Sequence, residues 1–278
     1  VKVYLYAKSG HAIGLEATKR CAAIANELKE FDPILCTSDF RAGAFAKDLL
    51  GIKKYVNIDV LRNLYNIMEK RDILIYDTDE TNEFMKNDMK QFCTLLYSVN
   101  SDLSDIVIDA SIYNKNENPS IEKTLFFGDD DYNNLFLNLV EASTKYDIEL
   151  LMGHYFFLGN EKIFKNHFSK IIDEEEYVET IQNSKYLLTA SLQTALESIA
   201  CGNKAVLFKR EDKTYNEKLI SKINLPIIEE SNLEKIIENF ETIIKSYPQI
   251  ENFNNTNLKN IQLNIKEKLE EYNRLVGQ

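Results

Sequence analysis

The chain has 278 residues, 44% of them hydrophobic and 28% charged, which is enough for one large or two ordinary domains with a core in each. With Lys+Arg 33 against Asp+Glu 44, the net charge of -11 argues against non-specific nucleic-acid binding, whose electrostatic footprint is basic. It leaves room for a local basic cluster that meets a diphosphate. Cys21, Cys36, Cys93 and Cys201 are widely separated and form no C-x-x-C pair, so they read as small core residues rather than as zinc or redox ligands. No stretch approaches the ~18 apolar residues of a membrane span, and residues 1–7 lack the cationic and apolar regions of a signal peptide. The expectation is a cytoplasmic protein with no integral membrane segment.

In chain order, residues 1–7 read as a buried strand and residues 9–13 as a loop. Residues 15–28 read as a helix with Ala17, Cys21, Ile24, Ala25 and Leu28 on one face. Strands are expected at 33–37, 54–58 and 72–77, with helices at 42–50 and 59–71; residues 92–97 and 105–109 close this half. The polar, proline-containing stretch 113–120 reads as a linker. The pattern then restarts with strands at 124–127, 148–152, 186–190 and 205–208 and helices at 134–143, 174–183 and 194–200. A charged helix over 257–275 carries Leu258, Ile261, Ile265, Leu269 and Tyr272 at helical spacing. Such alternation predicts an α/β protein of two Rossmann-like domains, residues 1–118 and 119–278, with parallel sheets facing a cleft. The terminal helix is expected to pack back on the first domain.

Residues 186–208 carry the most information. A buried strand ends in the small polar turn Ala190-Ser191-Leu192-Gln193, a helix starts near Thr194, Gly202 takes the left-handed cap position, and another strand follows. At the carboxyl end of a parallel strand, the free N–H groups and positive dipole of the next helix favour a phosphate. Ligands of open α/β sheets bind at this edge. Glu197, one turn along, can accept hydrogen bonds from ribose hydroxyls; equally, Thr194 can cap the helix and Glu197 complete the capping arrangement.

This segment resembles the nucleotide-sugar site of glycosyltransferase-B proteins: a small-residue turn, Thr194, two residues, Glu197, an apolar helix, Gly202 and an apolar strand. Over residues 1–209 the chain is most similar to the nucleotide-sugar hydrolases of pseudaminic acid biosynthesis, a small branch of that superfamily. The resemblance is carried by Ile13-Gly14 with Lys19-Arg20, by the apolar strand from Asp72 to Asp77, by Gly128-Asp129-Asp130-Asp131 with Asn134-Leu135, and by the Thr194–Glu197 helix. It implies a second domain that binds a nucleotide sugar, UDP-linked for preference, in surface or flagellar glycan biosynthesis. The turn and helix start would hold the diphosphate and Glu197 the ribose, the first domain would carry the acceptor or catalytic side, and no metal or cofactor would be needed. The reaction implied is hydrolysis or glycosyl transfer at the anomeric centre. Two departures bear on chemistry. The family's Gly-x-Gly-His is Gly14-Leu15-Glu16-Ala17 here, and alanine cannot transfer a proton. The family's Gly-Gly turn is replaced by Gly128-Asp129-Asp130, which brings carboxylates toward a diphosphate.

The candidate catalytic residues are therefore His11, in the loop after the first strand, Glu16 and Asp77. The candidate substrate-binding residues are Gly14, Arg20, Gly128, Asp131, Ser191, Gln193, Thr194 and Glu197. Each has a plainer reading: His11 as an exposed loop residue, Arg20 in a surface ion pair, Asp77 with Asp79 or the 129–131 run as helix caps. His154, after a strand, can contact a base, whereas His167 and the acidic run 173–176 read as structural. No G-x-S-x-G elbow, Walker loop, zinc spacing or dinucleotide fingerprint is present. The alternative is a catalytically degenerate relative that serves as a protein-interaction module.

Overall fold

The unbroken apolar run Val-Tyr-Leu-Tyr-Ala forms β1 (Val3–Ala7), buried along its whole length as a central strand of a parallel sheet must be. The structure is a computed structural model that describes residues 1–102, 106–140, 144–155, 159–254 and 257–276. Contacts divide the chain into two units. One comprises Val1–Gly10, Ala17–Asp109 and Asn254–Gln278, the other His11–Glu16 and Ala110–Phe253.

After β1 comes α1 (Glu16–Glu27), of which residues 17–27 belong to the first unit; it buries Cys21, Ala22, Ile24 and Ala25. Next come β2 (Ile34–Thr37), α2 (Phe40–Leu50) and β3 (Tyr55–Asn57). Asp39 caps α2 by accepting from Arg41 N, and Gly51 ends it at φ 71°. The unit continues with β4 (Ile73–Asp77), α3 (Glu83–Phe92), β5 (Leu95–Ser98) and the single turn α4 (Val99–Asp102). All strands are parallel, in the order β3-β2-β1-β4-β5. Tyr4, Tyr6, Leu74 and Tyr76 on one sheet face pack with Leu61, Leu64 and Met89.

One expectation for this half is corrected. Residues 59–71 are not an α-helix but a 3-10 turn, Leu61–Asn66. The Asp72 carboxylate takes a backbone N–H that a helix would use, accepting from Glu69 N at 2.9 Å, while Glu80 accepts from Leu61 N at 3.2 Å and holds the start of the turn. Of residues 92–97, Phe92 closes α3, whose cap Asn82 accepts from Met85 N, and Leu95 begins β5. Ile106, Val107 and Ile108 are buried without regular structure, while Asp105 lies outside the described residues.

The second unit runs β6 (Ile121–Phe126), α5 (Leu135–Leu139), β7 (Tyr146–Leu151), α6 (Asn160–Phe164) and β8 (Phe168–Ile172). It continues with α7 (Tyr177–Asn183), β9 (Ser184–Thr189), α8 (Leu192–Ala200), β10 (Lys204–Phe208), α9 (Glu217–Ile223), β11 (Ile227–Ile228) and α10 (Leu233–Lys245). The helix expected over 134–143 is the short α5, with residues 141–143 outside the described set. Residues 174–176 form a 3-10 turn ahead of α7. β8, α6, α9, β11 and α10 are additions to the expected elements. The sheet is again wholly parallel, in the order β11-β10-β9-β6-β7-β8. Its core joins Phe127, Phe136, Phe164, Phe168, Phe208 and Phe240.

The last helix, α11 (Asn257–Val276), belongs to the first unit, where Leu258, Ile261 and Ile265 are buried. Gln262 Nε2 donates to the Glu27 carbonyl at 3.3 Å and to Glu30 at 3.0 Å. No described helix is long and apolar enough to cross a membrane.

Within each unit the order is that of a doubly wound sheet, and the sense of winding reverses between β1 and β4 and between β6 and β9. Ligands of such sheets sit outside the carboxyl ends of the strands at that reversal.

Candidate functional site

β6 and β9 are paired through Phe126 and Thr189, so the turn after Phe127 and the turn before α8 leave the sheet side by side. The first is Gly128-Asp129-Asp130-Asp131. Gly128 has φ 133°, and a Cβ there would stand 2.7 Å from Asp130 Oδ1. Gly128→Ala therefore costs both backbone strain and a displaced carboxylate, an expected loss of about 1–3 kcal/mol in a urea unfolding experiment. An unchanged midpoint would show that this turn relaxes freely.

The three aspartates have different partners. Asp129 accepts from the His154 backbone N–H at 2.9 Å. Asp131 accepts from Leu135 N at 2.7 Å and Phe136 N at 3.1 Å, supplying the start of α5 that Asn134, in a left-handed conformation, does not cap. Burial pushes the Asp131 carboxyl up, against the opposing pull of those two N–H groups and of Arg210. Asp130 meets cations: Arg210 Nη1 at 2.7 Å from Oδ1 and Lys213 Nζ at 2.9 Å from Oδ2.

The second turn opens α8. Ser191 is its N-cap, accepting from Thr194 N at 3.2 Å. The Ser191 hydroxyl donates to Glu16 Oε1 at 2.8 Å. Thr194 Oγ1 lies 3.0 Å from Ser191 Oγ and 2.8 Å from the Tyr177 hydroxyl oxygen. Tyr177 in turn donates to Glu197 Oε2 at 2.6 Å, and Gln193 Nε2 donates to Glu197 Oε1 at 3.1 Å. Glu197 is 1% exposed, so the carboxylate expected to meet a ribose lies inside, against Tyr177 and Gln193. Burial raises the Tyr177 hydroxyl well above its ordinary range, and the neighbouring Glu197 raises it further.

Just beyond β10, Arg210 and Lys213 complete the arrangement. The Arg210 guanidinium lies 4.5 Å from the Phe127 ring centroid and is bound by Asp212 at 2.9 and 2.5 Å as well as by Asp130. Lys213 also stands 3.5 Å from Glu16 Oε1. Burial works to lower the Lys213 ammonium, but Glu16 and Asp130 outweigh it and hold the group above its ordinary value. Arg210 behaves alike: burial opposes its charge, and Asp212 and Asp130 outweigh that. A cavity of about 250 Å³ opens beside Arg210, floored by Phe127, Leu135, Phe208 and Ile236.

Of the residues singled out in the sequence, Gly14, Glu16, Gly128, Asp131, Ser191, Gln193, Thr194 and Glu197 all belong to the second unit. Gly14, at φ 85°, would bring a Cβ to 3.3 Å from Asp130 Cβ, so the 11–16 segment lies close over the aspartate turn. His11 is exposed, with its ring centroid 4.6 Å from that of Tyr132. Arg20 and Asp77 belong to the first unit, where Arg20 Nε donates to Asp77 Oδ2 at 2.6 Å and Asn100 Nδ2 to Oδ1 at 3.4 Å. Asp77 ends β4, at the winding reversal of its own sheet.

Sequence reasoning missed Arg210, Lys213 and Tyr177. The first two stand in Lys209-Arg210-Glu211-Asp212-Lys213, a charged run immediately after an apolar strand, and that position is the signal that could have found them.

No protein-family model matches the sequence, and neither does any curated protein. Solved structures do match in fold. A protein provisionally named UDP-N-acetylglucosamine 2-epimerase from Listeria monocytogenes is 11% identical, with 98% of this chain and 97% of that one covered and a TM-score of 0.58. The UDP-GlcNAc 2-epimerase from Methanocaldococcus jannaschii is 12% identical, with 96% and 100% covered and a TM-score of 0.50. The E. coli heptosyltransferase solved with ADP-2-deoxy-2-fluoro heptose is 8% identical, with 89% and 100% covered and a TM-score of 0.47. The chain has an α/β fold of two parallel-sheet domains, of the glycosyltransferase-B type.

Proposed function

We propose that the second unit binds a nucleotide sugar through its diphosphate, at the carboxyl edge of the sheet between β6 and β9. The observation that carries this reading is the Ser191-capped start of α8 standing at the winding reversal beside the Gly128 turn, with Arg210 and Lys213 next to it. Thr194, Tyr177 and Glu197 hold that helix start from within. The proteins of like fold from Listeria monocytogenes and Methanocaldococcus jannaschii are named for UDP-N-acetylglucosamine, which makes UDP-linked sugars the first ligands to try.

The reaction class proposed is modification or transfer at the sugar's anomeric centre or the carbon beside it. Hydrolysis, implied by the sequence resemblance, is one member. His11, Glu16 and Asp77 are the groups able to move a proton. Of these, Glu16 is held by Ser191 and Lys213, and Asp77 by Arg20 and Asn100. A second reading, binding without turnover, is favoured by Ala17 at the position of the related hydrolases' histidine.

Calorimetric titration with UDP and UDP-linked sugars tests the proposal. Saturable binding with a Kd below about 1 mM is expected. No detectable binding at millimolar nucleotide would overturn it. Release of UDP from a bound UDP-sugar, followed by chromatography, separates the catalytic reading from the second one.

A further inference from the structure

Resting on that reading, we infer that Arg210 and Lys213 are the diphosphate-binding cations, and that Asp130 and Glu16 are internal competitors for the same positions. The Asp130 carboxylate offers one oxygen to each cation, Oδ1 to Arg210 at 2.7 Å and Oδ2 to Lys213 at 2.9 Å. A phosphoryl group spanning the two would do the same. The Glu16 carboxylate bridges Lys213, at 3.5 Å, and the Ser191 hydroxyl, at 2.8 Å, the residue that caps α8. Two cations, one hydroxyl and a helix N-terminus thus converge on two carboxylates that stand next to each other. That donor set is suited to two linked phosphoryl groups.

Burial makes the arrangement more than a surface ion pair. The Arg210 and Asp130 side chains are 4% and 8% exposed. Asp130 folds back over Gly128, where its Oδ1 fills the space a Cβ would take, so moving this side chain also uncovers the backbone of the turn. A diphosphate offers two linked phosphoryl groups, one for the position of each carboxylate, whereas a single phosphoryl group can take only one of the two positions. The site therefore selects a nucleoside diphosphate moiety over a monophosphate, and its affinity is set by an exchange of anions rather than by filling open space.

Titration calorimetry of the full chain with UDP and with UMP, on the wild type, Asp130→Asn, Lys213→Met and Lys213→Arg, tests the inference. UDP should bind at least about tenfold more tightly than UMP. Asp130→Asn should tighten UDP binding by about tenfold, because a competitor loses its charge, and Lys213→Met should weaken it by about tenfold or more. Lys213→Arg should bind within a few-fold of the wild type, which excludes misfolding as the cause of the Met result. Opposite signs at Asp130 and Lys213 are what a purely structural role would not produce. If the wild type binds UDP but Asp130→Asn and Lys213→Met both leave its affinity unchanged, the inference falls and the nucleotide-binding reading stands. If neither the wild type nor Asp130→Asn binds UDP at millimolar concentration, both fall.

Discussion

Phe136→Ala lowers the unfolding free energy by about 3–5 kcal/mol, the expected range for deleting a fully buried aromatic side chain. Phe136 has no exposed surface, and its ring centroid lies 4.9 Å from Phe127, 5.1 Å from Phe164 and 5.7 Å from Phe168. Each such aromatic pair contributes about 0.5–1.5 kcal/mol beyond the area it buries. The residue also belongs to α5, five residues long, far short of the length at which a helix is stable by itself. Its backbone N–H is one of the two that Asp131 accepts, so loosening the ring loosens the turn that begins at Gly128. Phe84, 80% exposed, provides the contrast: Phe84→Ala should stay within about 0.5 kcal/mol of wild type. Urea unfolding followed by circular dichroism measures both, and a Phe136→Ala loss under about 1 kcal/mol would mean that the aromatic cluster repacks around the hole.

Arg210→Ala should cost up to about 3–5 kcal/mol, the range for breaking a buried ion pair, since it takes from the buried Asp130 carboxylate one of its two cations. Asp130 would keep only Lys213, while Asp212, 43% exposed at its side chain, would be rescued by water. The stacking over Phe127 is lost as well. Arg210→Lys should recover only part, because an ammonium cannot present the planar fork that binds Asp212 through two nitrogens. The sharper measurement is a double-mutant cycle with Asp130→Asn. If the pair is coupled as its geometry indicates, Asp130→Asn will be less damaging in the Arg210→Ala background by at least about 1 kcal/mol. Additive effects would mean that water already screens the pair.

Much of the scaffold can be read from local sequence because its central strands are buried on both faces. β1, β4, β9 and β10 therefore stand out as apolar runs with little alternation. α1 and α11 announce themselves by helical spacing of their buried residues. The same spacing runs through Leu233, Ile236, Ile237, Phe240, Ile243 and Ile244 of α10, but the sequence reading assigns nothing between β10 and the terminal helix. The helix expected at 59–71 fails for a tertiary reason: the Asp72 side chain, just ahead of β4, accepts from Lys2 N at 2.8 Å and also from Glu69 N.

The candidate site was legible only in part. The turn at Ser191 and Thr194 is a local signal, read from a strand, small polar residues and a helix start. The partners are not local. Tyr177 precedes Glu197 by 20 residues, and Arg210 is 80 residues from Asp130. Whether the charged run after β10 points to solvent or toward α8 depends on β10 lying beside β9, which the run itself does not encode.

The discontinuity of the first unit bears on synthesis. Its helix α11, with Leu258, Ile261 and Ile265, is made only after residues 110–253 have been translated. The second unit, apart from its short 11–16 segment, can thus assemble on the ribosome while the earlier-made sheet still lacks a side of its core. The sheet of the first unit is translated before the second unit and completed after it, the reverse of the usual order in which domains mature as they emerge. A ribosome stalled near residue 253 would hold a chain whose second unit is fully synthesised while its first unit still lacks α11, and that first unit would be the natural client of a chaperone.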